Sequence, residues 1–372
     1  MDRKTTAIGI KKIHRTVNCT LKNVNLFPNH ARILIACSGG PDSMVLVDIL
    51  LALSVHRKAD WHIGVATMNH GIRPEGIEEL QMVSEYCRAL QIPFYGTTMD
   101  IPSLAKDQHI SLETAGRIGR YQWLIKIARQ EKYAYIVTAH HKDDQCETIM
   151  AHLIRGAGIQ GLVGMDVVNY TSDIPIVRPL LDVRKWELIE YAELSNIPYC
   201  IDMSNYDTSY TRNRIRHLVM PELESINPNV VDTVCRMGVI AKEDTHFIET
   251  SARLVYDTLV NEQLTVIEGS AYNTNSEIES SYAVHMNNEN CINMPVRMVR
   301  RISRRALRKQ PLALQRRIWQ LLCTPLQLSW AHQQQLQDIV NTGEPKTLQI
   351  REVTIIAQCD TISVYLLTQK PL

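Results

Sequence analysis

The sequence predicts an α/β protein whose N-terminal part is a parallel sheet covered by helices on both faces. Three observations carry this expectation. Apolar, β-rich runs recur at 32–37, 62–68, 93–99 and 133–139, and they are continuous rather than alternating, as strands buried on both faces are. Helix-period segments follow them at 43–56, 75–90, 113–130 and 144–155. The motif-rich stretches fall just after the apolar runs, where parallel sheets with right-handed crossovers place their ligands.

Bulk composition sets the frame. A chain of 372 residues with 45% hydrophobic residues can hold two or three domains, and 21% charged residues is too few for a disordered chain. The net charge of +1 gives no general argument for a nucleic-acid partner, so any such argument must come from local clusters. The nine cysteines include no C-x-x-C pair, which points to reduced thiols rather than a disulfide framework or a four-cysteine zinc site. The first residues, MDRKTTAIGIKKIHRTVNC, lack the apolar core of a secretory signal. No run approaches the roughly 18 apolar residues of a membrane span, and the run after Ser43 is broken at Asp48. The expectation is a cytoplasmic protein with no membrane partner.

Beyond the first half, 183–195 reads as a helix followed by a polar segment, and 229–261 as a long helical connector. Residues 262–292 are polar, with SEIESS and NNEN tracts; 294–340 return to helical periodicity; 346–367 read as short strands. The expected domains are 1–218, a connector at 219–261, and a small α+β domain at 262–372.

The first strand runs into ACSGGPDS. Gly39 and Gly40 let the backbone turn sharply and approach a ligand. Pro41 suits a first helical turn, and the helix N-terminus offers unpaired N–H groups to an anion. Ser38 and Ser43 add hydroxyls. The plain alternative is a tight turn with an ordinary cap. The loop is neither G-x-x-x-x-G-K-[ST] nor G-x-G-x-x-G. It carries a carboxylate, Asp42, where an anion-binding loop would be expected to carry a lysine.

Four more motifs follow. MNHGIRPEG, 68–76, places His70 and Arg73 after the second apolar run. In SLETAGRIGRYQWL, Glu113, Arg117, Arg120 and Tyr121 share a helix face, so Arg117 either pairs with Glu113 or reaches a phosphate. VTAHHKDDQCETIMAHLIRGAGIQGLVGM sets His140, His141, Asp143, Asp144 and Glu147 at a helix start; Asp144 and Glu147 are spaced nearly as a capping box. The glycines after it imply a loop that comes close to something. Arg178, Arg184 and the cluster Arg212, Arg214 and Arg216 are candidates for phosphate contact or a solvated face.

S-G-G-x-D-S after a strand resembles the PP-loop of the ATP pyrophosphatase superfamily. That resemblance implies an adenine nucleotide alpha hydrolase-like, Rossmann-like domain that binds ATP through Ser38, Gly39, Gly40, Pro41, Asp42 and Ser43, with His70 and Arg73 at its mouth. It also implies Mg²⁺ on Asp42 and Asp144, which would answer the charge problem, because a divalent cation can sit between two anions. Taken in order, SGGPDS, NHGIRPE, E-x-x-x-R-x-x-R-Y, AHHKDDQCET, IRGAGIQGLVGM, RPLL and D-x-S-N-x-D-x-x-Y-x-R-N-x-I-R resemble the tRNA(Ile)-lysidine synthase family, densely over 30–230 and weakly to 367. Gly116 and Gly76 stand where that family usually shows alanine and often serine, with little effect expected at either small-residue position. Some members continue into a further C-terminal domain for which this sequence offers no match.

The resemblance implies ligation of free L-lysine to C2 of the wobble cytidine of a CAU-anticodon tRNA(Ile), through an O2-adenylated base, with Asp42, Arg117, His140, Asp144 and Glu147 as catalytic residues. A homodimer is an open alternative. Independently of the resemblance, Arg297, Arg300, Arg301, Arg304, Arg305 and Arg308 fall at i, i+3, i+4, i+7, i+8 and i+11, one basic stripe if the segment is a helix, with no acid over 291–328. With Arg212, Arg214 and Arg216, these are the expected tRNA contacts. A PP-loop tRNA thiolase would tend to use paired cysteines, which are missing. A small-molecule amidating synthetase would not need the arginine stripe, and a non-catalytic binding module would not need Asp42 and the acid cluster.

Overall fold

The computed structural model describes residues 3–72, 75–202, 207–263 and 296–367. The chain divides into two compact units, 1–242 and 243–372.

The first unit agrees with the predicted α/β class. Its strands are β1 (Arg32–Ala36), β2 (His62–Asn69), β3 (Phe94–Thr98), β4 (Tyr135–Thr138), β5 (Val168–Asn169) and β6 (Ile176–Val177), in the order β3-β2-β1-β4-β6-β5. All neighbours are parallel except β5, which runs antiparallel to β6. The strand order reverses between β1 and β4, so two loops leave neighbouring strand ends in a cleft.

The continuous apolar runs are explained by burial on both sides. Ile33 and Ile35 pack with α1 (Arg3–Asn23) and α2 (Pro41–Arg57), while Leu34 packs with Leu124 and Ala128 of α5 (Leu112–Gln130) on the opposite face. Sequence reading identified no helix in 3–23, although Ile10, Ile13, Val17 and Leu21 have helical spacing; the last three are buried. The polar break at Asp48 is satisfied inside the helical layer, where its Oδ2 accepts from Tyr191 Oη at 2.6 Å.

Of the two glycine departures, only one is innocuous. A Cβ on Gly116 would meet nothing nearer than 3.8 Å, but one on Gly76 would stand 2.4 Å from Asn69 Oδ1. Asn69 Oδ1 also accepts from the Gly71 N–H at 3.0 Å, so Gly76 makes room for an asparagine that shapes the loop after β2.

Among the described residues, the second unit is a five-stranded antiparallel sheet with three helices and the end of the long helix Val230–Leu259. Its strands are β7 (Val260–Gln263), β8 (Val296–Ser303), β9 (Lys346–Ile350), β10 (Val353–Gln358) and β11 (Thr361–Leu367), in the order β7-β8-β11-β10-β9. The helices are α12 (Arg304–Arg308), α13 (Leu312–Leu322) and α14 (Trp330–Thr342). Trp319, Leu322, Leu336 and Ile339 pack on Ile355, Ile362 and Val364.

The helical arginine stripe is corrected by this unit. Residues 296–303 form a strand paired with β11 and β7, so Arg300 and Arg301 project to opposite faces. Val296, Val299 and Ile302 suit a strand, and pairing on both edges overrides the helical spacing of the arginines. Arg300 lies on the face of buried Ile302 and donates through Nη1 to the carbonyls of Leu321 and Leu322 at 2.6 and 2.8 Å. Arg304 is buried and donates to the Glu344 carbonyl at 2.8 Å. Arg305 and Arg308 are exposed. The side chain of Arg297 lies outside the described residues, as do nearly all residues of the 262–292 insert.

Candidate active site

The loop after β1 and the start of α6 (Lys142–Ile154) after β4 meet at the strand ends. Gly39 has φ +80°, a conformation in which glycine is unstrained, and its carbonyl accepts from Cys200 N–H at 2.9 Å. Gly40 is the N-cap of α2 with no side-chain cap, and Pro41 occupies the first turn, so the first-turn N–H groups of a 17-residue helix are left for another acceptor. Ser43 turns inward. Its hydroxyl donates to the Gly40 carbonyl at 2.9 Å and accepts from Ser38 N–H at 3.2 Å, bracing the turn. Ser38 itself is exposed.

His141 ties the two loops together. Its Nδ1 accepts from Asp144 N–H at 3.3 Å, while Asp144 Oδ2 accepts from His141 N–H at 3.0 Å. The capping pair is therefore His141 with Asp144, one turn before the Asp144 and Glu147 pairing that spacing suggested. With Nδ1 accepting, the neutral ring carries its proton on Nε2. That nitrogen lies 3.4 Å from Asp144 Oδ2 and 3.7 Å from Asp42 Oδ2. The two carboxylates expected to hold a metal thus converge on one imidazole.

Glu147 and Asp144 are buried, and two arginines from the 207–219 segment cover them. Arg216 forks onto Glu147, Nε to Oε1 at 2.7 Å and Nη2 to Oε2 at 2.8 Å. Arg212 bridges Glu147 Oε2 at 3.0 Å and Asp144 Oδ1 at 2.8 Å. Burial pushes the Asp144 carboxyl up, but His141 and Arg212 more than reverse this and hold it well below the usual carboxylate range. Burial lowers His140 to about 3, assisted by Arg178, Arg212 and Arg120 against the opposing pull of Asp144, so this ring is neutral at pH 7. Its Nδ1 lies 2.8 Å from Thr138 Oγ1.

The remaining sequence candidates fall at various distances from this centre. Arg117 is exposed and lies over the Tyr121 ring at 5.3 Å; among the described residues it forms no ion pair with Glu113. His70, in the loop after β2, approaches α5 at Gly116. Arg214 is exposed. Arg73 lies outside the described residues. The glycine-rich loop after α6 closes on α6 itself: Cβ atoms on Gly164 and Gly161 would fall 2.8 Å from Gln145 and 3.2 Å from His152.

Sequence reading missed Lys185, the first residue of α8 (Lys185–Leu194). Its Nζ lies 2.5 Å from Asp42 Oδ2, bridging 143 residues of chain. Asp42 Oδ1 is buried with no hydrogen-bond partner among the described residues. A hard oxygen with a free lone pair beside an anion-binding turn suits Mg²⁺, which commonly takes one or two carboxylates and keeps its other positions for water and phosphate.

Comparison with known proteins places this geometry. The family model of an ATP-binding PP-loop domain matches residues 10–223. A tRNA(Ile)-lysidine synthase of Thermosipho africanus is 37% identical over 216 residues, covering 58% of this chain and 49% of that protein. A bifunctional TilS/HprT protein of Listeria monocytogenes is 32% identical over 278 residues, covering 74% of this chain and 42% of that protein. The chain thus spans about half the length of the curated relatives it matches. Among solved structures, a U34-tRNA thiolase of Methanococcus maripaludis superposes with a TM-score of 0.54 at 18% identity, over 63% of this chain and 80% of that one, a likeness of fold. Among the described residues, no helix is long and apolar enough to cross a membrane.

Proposed function

The chain belongs to the ATP-binding PP-loop family, and on that footing we propose that it is an ATP-dependent ligase that joins L-lysine to the wobble cytidine of a CAU-anticodon tRNA(Ile). The observation that carries this reading is the convergence of Asp42 and Asp144 on His141 Nε2 at the switch point between β1 and β4, beside the uncapped start of α2. It supports a nucleotide held by its phosphates on the loop, with acid side chains within reach of its α-phosphate.

The reaction has two steps. The cytosine O2 attacks the α-phosphate and pyrophosphate leaves, which turns a poor leaving oxygen into a good one. The lysine ε-ammonium then gives up a proton to water, the free amine attacks C2, the C2–O2 bond breaks to release AMP, and the new nitrogen sheds a second proton to water. Backbone N–H groups of the loop and of α2 would receive the pyrophosphate, and Arg117, free of Glu113, can swing to the phosphates. Asp42 and Asp144 would hold Mg²⁺, which when bound offsets the negative charge of the polyphosphate. Asp144, held well below the usual carboxylate range, and its neighbour Glu147 suit the ammonium of lysine as binding partners, once Arg212 and Arg216 give way to it. His140 offers a neutral imidazole nitrogen rather than a strong base. The site therefore lowers the barrier more by positioning than by proton transfer.

The test is incorporation of labelled L-lysine into a CAU-anticodon tRNA(Ile) transcript. ATP-dependent labelling of that transcript, and not of one carrying the acceptor stem of methionine tRNA, is the expected result. Absence of labelling with ATP–pyrophosphate exchange intact would keep the adenylation chemistry and overturn lysine as the nucleophile.

A further inference from the structure

The anion-binding loop lacks a lysine of its own, and the structure supplies one from elsewhere in the chain. We propose that Lys185 is a polyphosphate-binding residue of this site, resting on Asp42 in the free protein and passing to the β- and γ-phosphate oxygens when nucleotide enters. The inference rests on the ATP-using reading above.

The base of Lys185 is fixed. Its own N–H donates to Asp143 Oδ2 at 2.7 Å, and Arg184 Nε donates to Asp143 Oδ1 at 3.1 Å. Lys142 N–H donates to the Val183 carbonyl at 2.9 Å, so the stretch 183–185 is stitched to the first turn of α6. The lysine stem therefore starts from a set point at the strand ends, next to the loop.

The tip is replaceable. The Lys185 side chain is 36% exposed, whereas Asp42 is 21% exposed. Departure of the ammonium would not strand Asp42, because His141 Nε2 faces the same oxygen from 3.7 Å and the buried Oδ1 stands ready for a cation. Because Asp42 lies in the first turn of α2, an ammonium on it sits within a side chain's swing of the helix N-terminus. A compact cation with three donors suits phosphate oxygens there. Were the pair only structural, it would be one more partly exposed ion pair of small net effect, with no bearing on ligand.

The experiment measures binding of inorganic pyrophosphate, ATP and AMP to the full chain by calorimetry, with metal chelated and with Mg²⁺ present. Lys185→Met should weaken pyrophosphate and ATP tenfold or more in chelator and leave AMP unchanged, and Lys185→Arg should recover most of the loss. Equal pyrophosphate affinity in Lys185→Met and the unsubstituted chain overturns the proposal while leaving the ATP-using reading intact. An unsubstituted chain that binds neither ATP nor pyrophosphate overturns both. A readout that needs no variant is acetylation of the Lys185 amine followed by mass spectrometry. Pyrophosphate, and not AMP, should protect it, and equal labelling in both overturns the proposal.

Discussion

In the first unit, Arg212 and Arg216 point at the carboxylates of Asp144 and Glu147; in the second, Arg300 and Arg304 point at main-chain carbonyls. Both pairs come from dense arginine runs that sequence alone would assign to a polyanion. The first pair balances two buried charges at a strand-end cleft. The second satisfies the end of α13 and the turn before β9. An arginine run thus marks where cations gather, and only the partners say whether they face a ligand, an acid or the backbone.

The largest effect that sharpens this contrast belongs to the acids. Asp42→Asn should lower ATP–pyrophosphate exchange by about 10²–10³, the usual scale for losing one charged group that stabilises a transition state. With tRNA at saturating concentration, the double variant Arg305→Ala with Arg308→Ala should leave exchange unchanged. A similar loss in both would dissolve the distinction between the two regions.

Next comes Glu147→Gln. Glu147 is buried and takes three charge-assisted bonds from Arg212 and Arg216. Removing its charge leaves two cations sharing the single carboxylate of Asp144. Breaking a fully buried pair costs about 3–5 kcal/mol; because both arginines are about a third exposed, a loss of roughly 2 kcal/mol is expected. Urea unfolding checks it, and an unchanged midpoint would mean that the arginines are not held by the acids.

Arg304→Ala should follow at about 1–2 kcal/mol, since a buried charge-assisted bond to the Glu344 carbonyl is lost. Unfolding of the full chain, read by probes in the second unit, measures it.

Why some of this was legible and some not follows from range. The S-G-G-x-D-S turn and the helix start after His140 are local: a glycine with positive φ, a proline in a first turn and acids at a helix start are all written within a few positions, although the capping pair was read one turn late, as Asp144 with Glu147 rather than His141 with Asp144. Parallel-strand order then brings the two turns together. Lys185 was not legible because its importance lies in a side-chain tip that meets a loop 143 residues earlier. The 296–303 strand was misread because V-R-M-V-R-R-I-S has arginines at helical spacing and β-branched residues at strand positions, and pairing with β11 decides between them.

A pH experiment separates the regions by a smaller margin. His140 is lowered to about 3 in the folded chain, against an ordinary value near 6.5. Between these values the unfolded chain takes up a proton that the folded chain refuses, so stability falls as pH drops from 6.5 toward 3, with a limiting slope of roughly 1.4 kcal/mol per pH unit. Asp144, depressed in the fold, loses its contribution in the same direction but only below its ordinary range near 3.9. Comparing unfolding at pH 7.5 and 5 therefore leaves Asp144 out and reads the buried histidines, His140 together with His14, which burial also lowers. His140→Gln should reduce that difference, and an unchanged slope would place the titration elsewhere.

The smallest effect concerns the arginines left outward. Arg305 and Arg308 are exposed on α12, and the Arg305 N–H rather than its guanidinium is used by Asp360 Oδ1 at 2.7 Å. If they meet tRNA phosphates, each alanine substitution should weaken tRNA binding a few-fold and reduce the slope of log affinity against log salt by about 1. Thermal stability should hardly move, the reverse of Arg304→Ala four residues or fewer away. The salt slope is the discriminating quantity, because a lost phosphate contact changes the number of released counterions, whereas a destabilised second unit lowers affinity without that signature. Equal slopes in the variants and the unsubstituted chain would return Arg305 and Arg308 to a solvated face and leave the first unit, with Arg214, to carry the contact.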